Sequence, residues 1–109
     1  MAVSLQTYTL NLAKNLIWDI WNIQHIGKHH IIPDEVEEIC YASPLVLRGQ
    51  QKERLVLIGL TDEKRLIAVV LEAKGHGTYY PVTAYEPRAD DRALYNRLKG
   101  GENNNEEEK

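Results

Sequence analysis

Glu53-Arg54-Leu55-Val56-Leu57-Ile58-Gly59-Leu60-Thr61-Asp62-Glu63-Lys64-Arg65-Leu66-Ile67-Ala68-Val69-Val70-Leu71-Glu72 holds two apolar blocks joined by a short charged link. A strand with one face in water alternates apolar and polar residues. Residues 55–58 and 67–70 do not alternate, which predicts strands over 53–60 and 64–72 that are covered on both faces and lie inside a sheet. The link Thr61-Asp62-Glu63 is too short for a parallel crossover, so the pair is antiparallel. A tight hairpin there sets Leu60 opposite Arg65, Ile58 opposite Ile67 and Val56 opposite Val69. In that register Arg54 and Arg65 share one sheet face at opposite ends. Continued through the glycine loop at 74–77, it adds Tyr79 and Thr83 to that face.

Working outward, residues 78–84 form another strand. Pro81 offers no N–H to a ladder, so that strand is an edge or carries a bulge. Upstream, Leu45-Val46-Leu47 is a short strand and Gly49-Gln50-Gln51 a turn. A helix over 33–42 starts at Pro33 with Asp34 and Glu35 at its positive end, and buries Val36, Ile39 and Cys40. Another over 19–29 is capped by Asp19. It carries an apolar arc of Ile20, Ile23 and Ile26, with Asn22, His25 and His29 within roughly 60° of one another on the other side. A last helix over 87–98 turns Leu94, Tyr95 and Leu98 inward. The fold class is α+β: two N-terminal helices, a three- to four-stranded antiparallel sheet and a C-terminal helix. Residues 1–14 read as a loosely held arm, 15–100 as one domain and 101–109 as a disordered acidic tail.

The 109 residues suffice for a single core. The net charge of −3 comes from the tail, where Glu102, Glu106, Glu107 and Glu108 face one lysine, and the body is neutral with twelve acids and twelve bases. Nothing in the overall charge argues for nucleic-acid binding, although a local basic patch is compatible with it. The lone Cys40 excludes an intramolecular disulfide and reads as a small core residue. With no 18-residue apolar run and no secretory leader, the expected compartment is the cytoplasm.

Besides the sheet-face set of Arg54, Arg65, Tyr79 and Thr83, two groups of residues carry candidate chemistry. His25 and His29, four apart on a helix, suit proton transfer, because an imidazole gives and takes a proton near neutrality. They equally suit a structural helix end, or two of a metal's ligands, though no cysteine lies nearby in sequence and the adjacent His30 points nearer the apolar arc. Arg88, Arg92 and Lys99 fall within about 40° on the last helix beside Tyr95, a grouping that grips phosphate and stacks a base. The same charges read equally as solvated residues paired with Glu86, Asp90 or Asp91. His30 reads as packing and His76 as solvent-exposed. No glycine-rich phosphate loop, Cys-x-x-Cys pair or Gly-x-Ser-x-Gly elbow is present.

Trp18-Asp19, Asn22, Lys28-His29 and Pro33-x-Glu35-Val36 resemble the opening of BrnT-type toxins, which read Trp-Asp, Lys-His-Gly-Val, Glu-Ala. Glu53-Arg54 before a strand ending Ile58-Gly59, the strand over 66–71, and Val82-Thr83-Ala84 before a helix with Asp91-Arg92 and Tyr95 continue the likeness across about residues 18–99. The resemblance implies a RelE-like domain that cleaves RNA without a metal or other cofactor. It also implies a ribbon-helix-helix antitoxin as partner, in a homodimer or a heterotetramer with that antitoxin, and no membrane. By position, His29 matches the family histidine, Arg54 the strand arginine and Thr83 the Ser/Thr of the closing Ser/Thr-Ala-Arg. The resemblance implies that His29 handles the proton, Arg54 and Arg65 hold the phosphate, and Tyr79 or Tyr85 positions the RNA, with Lys28, Arg88 and Arg92 as further RNA contacts. Two positions depart from the pattern. Tyr85 stands where the closing arginine would be, leaving Tyr85, Arg88 or Arg92 to replace it, and His30 stands where the family has glycine. The competing reading is a catalytically inactive, toxin-like interaction module; a metal-binding regulator using His25 and His29 is a third.

Overall fold

The computed structural model describes residues 15–51 and 53–100. The expected arm and acidic tail lie outside the described residues. In order come α1 (Ile20–Gly27), α2 (Pro33–Tyr41), β1 (Leu45–Arg48), β2 (Arg54–Leu60), β3 (Leu66–Gly75), β4 (Thr78–Tyr85) and α3 (Ala89–Tyr95), which runs into a π-helical turn, Asn96–Gly100. The sheet is four-stranded and antiparallel in the order β1-β2-β3-β4, so the doubly apolar β2 and β3 are its interior strands. The architecture is α+β, as the apolar blocks and short links require.

The sheet separates two cores. On one face Leu57, Ile67, Val69, Leu71 and Ala84 meet Ile26 of α1 and Val36, Ile39 and Cys40 of α2. On the other, Leu45, Ile58, Leu66 and Ala68 are covered by Leu94, Tyr95 and Leu98. A side chain at Gly59 would bring its Cβ to 3.3 Å from Ile39 Cγ2 and 3.4 Å from Pro44 Cβ, so glycine lets α2 lie close on β2. β4 is one of the two edge strands of the sheet and has a register shift beside Pro81, where Val82 is the extra residue. Its outer side takes one bridge, in which Ile17 N donates to Tyr79 O at 2.9 Å.

The hairpin register differs from the expected one by a residue: Leu60 faces Leu66, Ile58 faces Ala68 and Arg54 faces Glu72. The cause is the turn. Thr61 N donates to Arg65 O and Lys64 N to Thr61 O, which closes a three-residue loop. Lys64 takes the left-handed conformation, φ 69°, that ends such loops. Arg65 therefore closes the turn instead of facing Leu60, and Arg54 and Arg65 do not share a face. Tyr79 and Thr83 are split as well. Tyr79, opposite Ala73, packs on the α1–α2 core, whereas Thr83 lies opposite Val70 across the bulge.

The first helix is capped as expected but faces otherwise. Asp19 Oδ1 accepts from Asn22 N at 3.0 Å, and Asn22 Oδ1 accepts from Asp19 N at 2.9 Å. Asn22 also donates to Ile17 O at 2.9 Å, so this amide is buried with its partners satisfied. Of the apolar arc only Ile26 is buried; Ile20 is 60% exposed, Ile23 41% and neighbouring Trp21 74%. Side-chain pairing, not hydropathy, set the rotation of this helix.

Candidate functional site

α1 ends by breaking its own geometry. Lys28, His29 and His30 leave the helix with N–H bonds to His25 O, Ile26 O and Gly27 O, and His30 turns left-handed at φ 62°. That turn points the carbonyls of His29 and His30 at the end of the β2–β3 hairpin, where Arg65 receives them. Its Nη1 donates to His30 O at 2.8 Å and to Glu35 Oε1 and Oε2 at 3.1 and 3.2 Å. Nη2 donates to His29 O at 3.4 Å and Nε to Glu86 Oε2 at 3.3 Å. Thr61, itself buried, holds the Arg65 backbone by accepting from its N–H at 3.0 Å. One guanidinium thus joins the α1–α2 corner, the hairpin turn and the end of β4.

Around this corner opens a cavity of about 790 Å³. Lys28, His29, His30 and Arg65 line it from one side, Tyr85, Glu86, Arg88, Asp90 and Asp91 from the other. Five of the residues singled out in the sequence, Lys28, His29, Arg65, Tyr85 and Arg88, therefore meet. Burial raises the Tyr85 phenol, and the charge of Asp91 adds to the effect while Arg88 opposes it. The phenol stays protonated and able to donate. His25 approaches His29 edge-on, with ring centroids 6.1 Å apart. Among the described residues, no three His, Cys, Asp or Glu side chains are grouped to hold a metal ion.

The remaining candidates lie elsewhere. Arg54 sits at the opposite end of β2 from Leu60, roughly 20 Å along the strand at its usual rise. Its Nη2 is 3.8 Å from Glu72 Oε1, and its buried Nε has no hydrogen-bond partner. Tyr79 and Thr83 line neither this cavity nor the second one described below. Arg92 faces a separate groove together with Tyr95 and Lys99, so the expected cluster on the last helix is divided. Arg88 is the N-cap of α3, with extended backbone (ψ 176°), and a helical periodicity does not reach it.

Three contributors, Glu35, Asp90 and Asp91, were not visible as site residues. Glu35 reads in sequence as a first-turn carboxylate, and it does accept from Ile32 N at 3.2 Å, but its second role is to hold Arg65. Asp90 and Asp91 read only as pairing partners for arginines, yet they form one wall of the cavity.

No protein-family model matches the chain, and neither a curated protein nor a solved structure does. Fold and site define a small α+β domain whose histidine-bearing helix end and C-terminal helix enclose an open cavity of mixed charge. No described helix is long and apolar enough to cross a membrane.

Proposed function

We propose that this domain is an RNA-cleaving toxin of the BrnT type, a metal-independent endoribonuclease acting in a cytoplasm and restrained by a ribbon-helix-helix antitoxin. The observation that carries this reading is the meeting of Lys28 and His29 with Tyr85 and Arg88 on one open cavity, from two stretches more than fifty residues apart in the chain. A second observation supports the family resemblance. The position where the BrnT pattern has glycine, here His30, is one of four non-glycine residues with positive φ among the described residues.

In this reading His29 takes the proton of a ribose 2′-hydroxyl, whose oxygen attacks the adjacent phosphorus. The bond to the 5′-oxygen breaks, and that oxygen receives a proton from the Tyr85 phenol or from the imidazolium just formed. The products are a 2′,3′-cyclic phosphate and a free 5′-hydroxyl. Lys28 and Arg88 face the charge that builds on the phosphorane. Arg65 is committed to backbone carbonyls and carboxylates, so it positions His29 and does not grip substrate. Arg54 stands too far away to share the step.

A catalytically inactive interaction module is the second reading, and the exposed Ile20, Trp21 and Ile23 on α1 favour it. The same surface suits an antitoxin that covers it, so both readings include a protein partner. Induced expression of wild type and His29→Ala in a bacterial host, following growth and total RNA, separates them. Growth arrest with RNA loss in wild type, abolished in His29→Ala, is the expected result. Healthy growth with folded wild-type protein would leave only the module.

A further inference from the structure

The His29 cavity has a shortage that points beyond itself. Its cations Lys28, Arg65 and Arg88 are matched by Glu86, Asp90 and Asp91, and Arg65 is already occupied. A polyanion gains little there from net charge.

On the other side of α3 lies a groove of about 390 Å³ with the opposite character. Lys64, Arg92 and Lys99 line it with Tyr95 and Asn96 over a floor of Leu60 and Leu66, and no acidic residue takes part. Lys99 Nζ donates to Ser43 O at 2.9 Å, which fixes it at the rim. Lys64 and Arg92 are exposed and enter no ion pair among the described residues. The groove adjoins the His29 cavity through the hairpin turn, since Lys64 lines one and its neighbour Arg65 the other. Three cations that enter no ion pair among the described residues, an aromatic ring and an apolar floor are the elements that track a phosphate backbone and stack a base.

We propose that this groove holds single-stranded RNA flanking the bond presented to His29, with Lys64 and Arg92 on phosphates and Tyr95 beside a base. The proposal rests on the RNA reading of the His29 cavity and assigns the grip on substrate to different residues from the chemistry. The two stand or fall separately in the test.

The probe is a short fluorescent oligoribonucleotide bearing 2′-O-methyl groups, which lacks the nucleophile and is not cleaved. Its anisotropy is titrated with the full chain over a range of salt. The variants are the double substitution Lys64→Asn with Arg92→Gln and the single substitution Arg48→Gln. Asparagine tolerates the left-handed backbone at 64 and glutamine keeps helix propensity at 92, so both preserve the fold. Loss of two phosphate contacts lowers the slope of log K against log salt by about 1.4, at roughly 0.7 per contact for single strands, and weakens binding about tenfold at low salt. Arg48, an exposed cation on β1 that lines neither cavity, reports the diffuse field, and Arg48→Gln binds as wild type does. Equal binding by the double variant overturns the proposal, as does no binding by wild type at low salt. An equal loss in Arg48→Gln also overturns it. So does a groove that takes a polyglutamate peptide in place of the oligonucleotide. Binding through Lys64 and Arg92 by a wild type that cleaves no RNA sustains the groove and removes the ribonuclease reading.

Discussion

Replacing Arg65 tests the central mechanical statement, that this guanidinium is a clamp on the His29 corner. Arg65→Ala removes donors to His30 O, His29 O, both oxygens of Glu35 and one of Glu86. The contributions are unequal. The Glu86 side chain is 58% exposed, so that pair contributes under about 1 kcal/mol. Glu35 and Arg65 are 22% and 27% exposed and meet through two short bonds, for which about 1–2 kcal/mol is appropriate after screening. The bond of 2.8 Å to His30 O adds about 1 kcal/mol, and the 3.4 Å bond to His29 O adds little. The expected loss is about 2–4 kcal/mol, which is a large part of the stability of a domain this size.

Urea unfolding, followed by the fluorescence of Trp18 and Trp21 and by circular dichroism, measures it. The midpoint falls while the slope m stays constant, because the area exposed on unfolding does not change. Arg65→Lys recovers less than half, since an ammonium cannot reproduce the planar fork. Arg54→Ala is the comparison. Its pair with Glu72 spans 3.8 Å with both side chains 30% exposed, and it costs under about 1 kcal/mol. A loss below about 0.5 kcal/mol in Arg65→Ala, or full rescue by lysine, would refute the clamp. In that case Arg65 would be free for substrate.

Two further outcomes follow from local chemistry. Burial, with Glu37 adding to it, pushes the Cys40 thiol from 9.0 up to about 12. The folded state thus holds a proton that the unfolded chain releases, so this contribution is intact below about pH 9 and is lost as pH climbs toward 12, at about 1.4 kcal/mol per pH unit. The stability advantage of wild type over Cys40→Ala therefore shrinks between pH 9 and 11, and parallel stability curves over that range would contradict it. His30→Gly relieves a left-handed backbone at an exposed position and raises stability by about 0.5–1 kcal/mol, whereas His30→Ala does not. Thermal unfolding of the three proteins decides, and a gain for alanine equal to that for glycine would mean that the strain is not backbone strain.

What sequence made legible was whatever depends on near neighbours. Unbroken apolar blocks placed β2 and β3 inside the sheet, Pro33 started α2, Asp19 capped α1, and Pro81 marked an edge strand and its bulge. The hairpin register was not legible, because a left-handed lysine closes the loop and nothing distinguishes Lys64 from a strand residue. The facing of α1 was hidden for a related reason. Hydropathy ranks Ile20 and Ile23 above Asn22, yet Asn22 is inside because Asp19 and Ile17 satisfy its amide. At the site, His29, Tyr85 and Arg88 were read as candidates and do meet, while Arg54 was placed on the same sheet face as Arg65, at its opposite end, only through the slipped register. Arg92 lines its own groove because α3 begins one residue after Arg88, which leaves the two arginines on different walls.

One residue of register therefore has chemical consequences out of proportion to its size. With Leu60 opposite Arg65, the arginine would lie in the strand on the same face as Arg54, and Glu35 would lose its partner. The three-residue loop instead brings Arg65 to the α1–α2 corner and leaves Lys64 on the side of α3. Two adjacent cations are separated into different duties: Arg65 is saturated with acceptors and fixes geometry, and Lys64 enters no ion pair among the described residues and is open to a ligand. Preorganisation and binding make opposite demands on a cation, because a donor that holds a backbone cannot also be released to a phosphate without loosening what it holds. A left-handed residue at the hairpin tip meets both demands within one turn, and this makes Lys64 the position at which fold and proposed function are most closely joined.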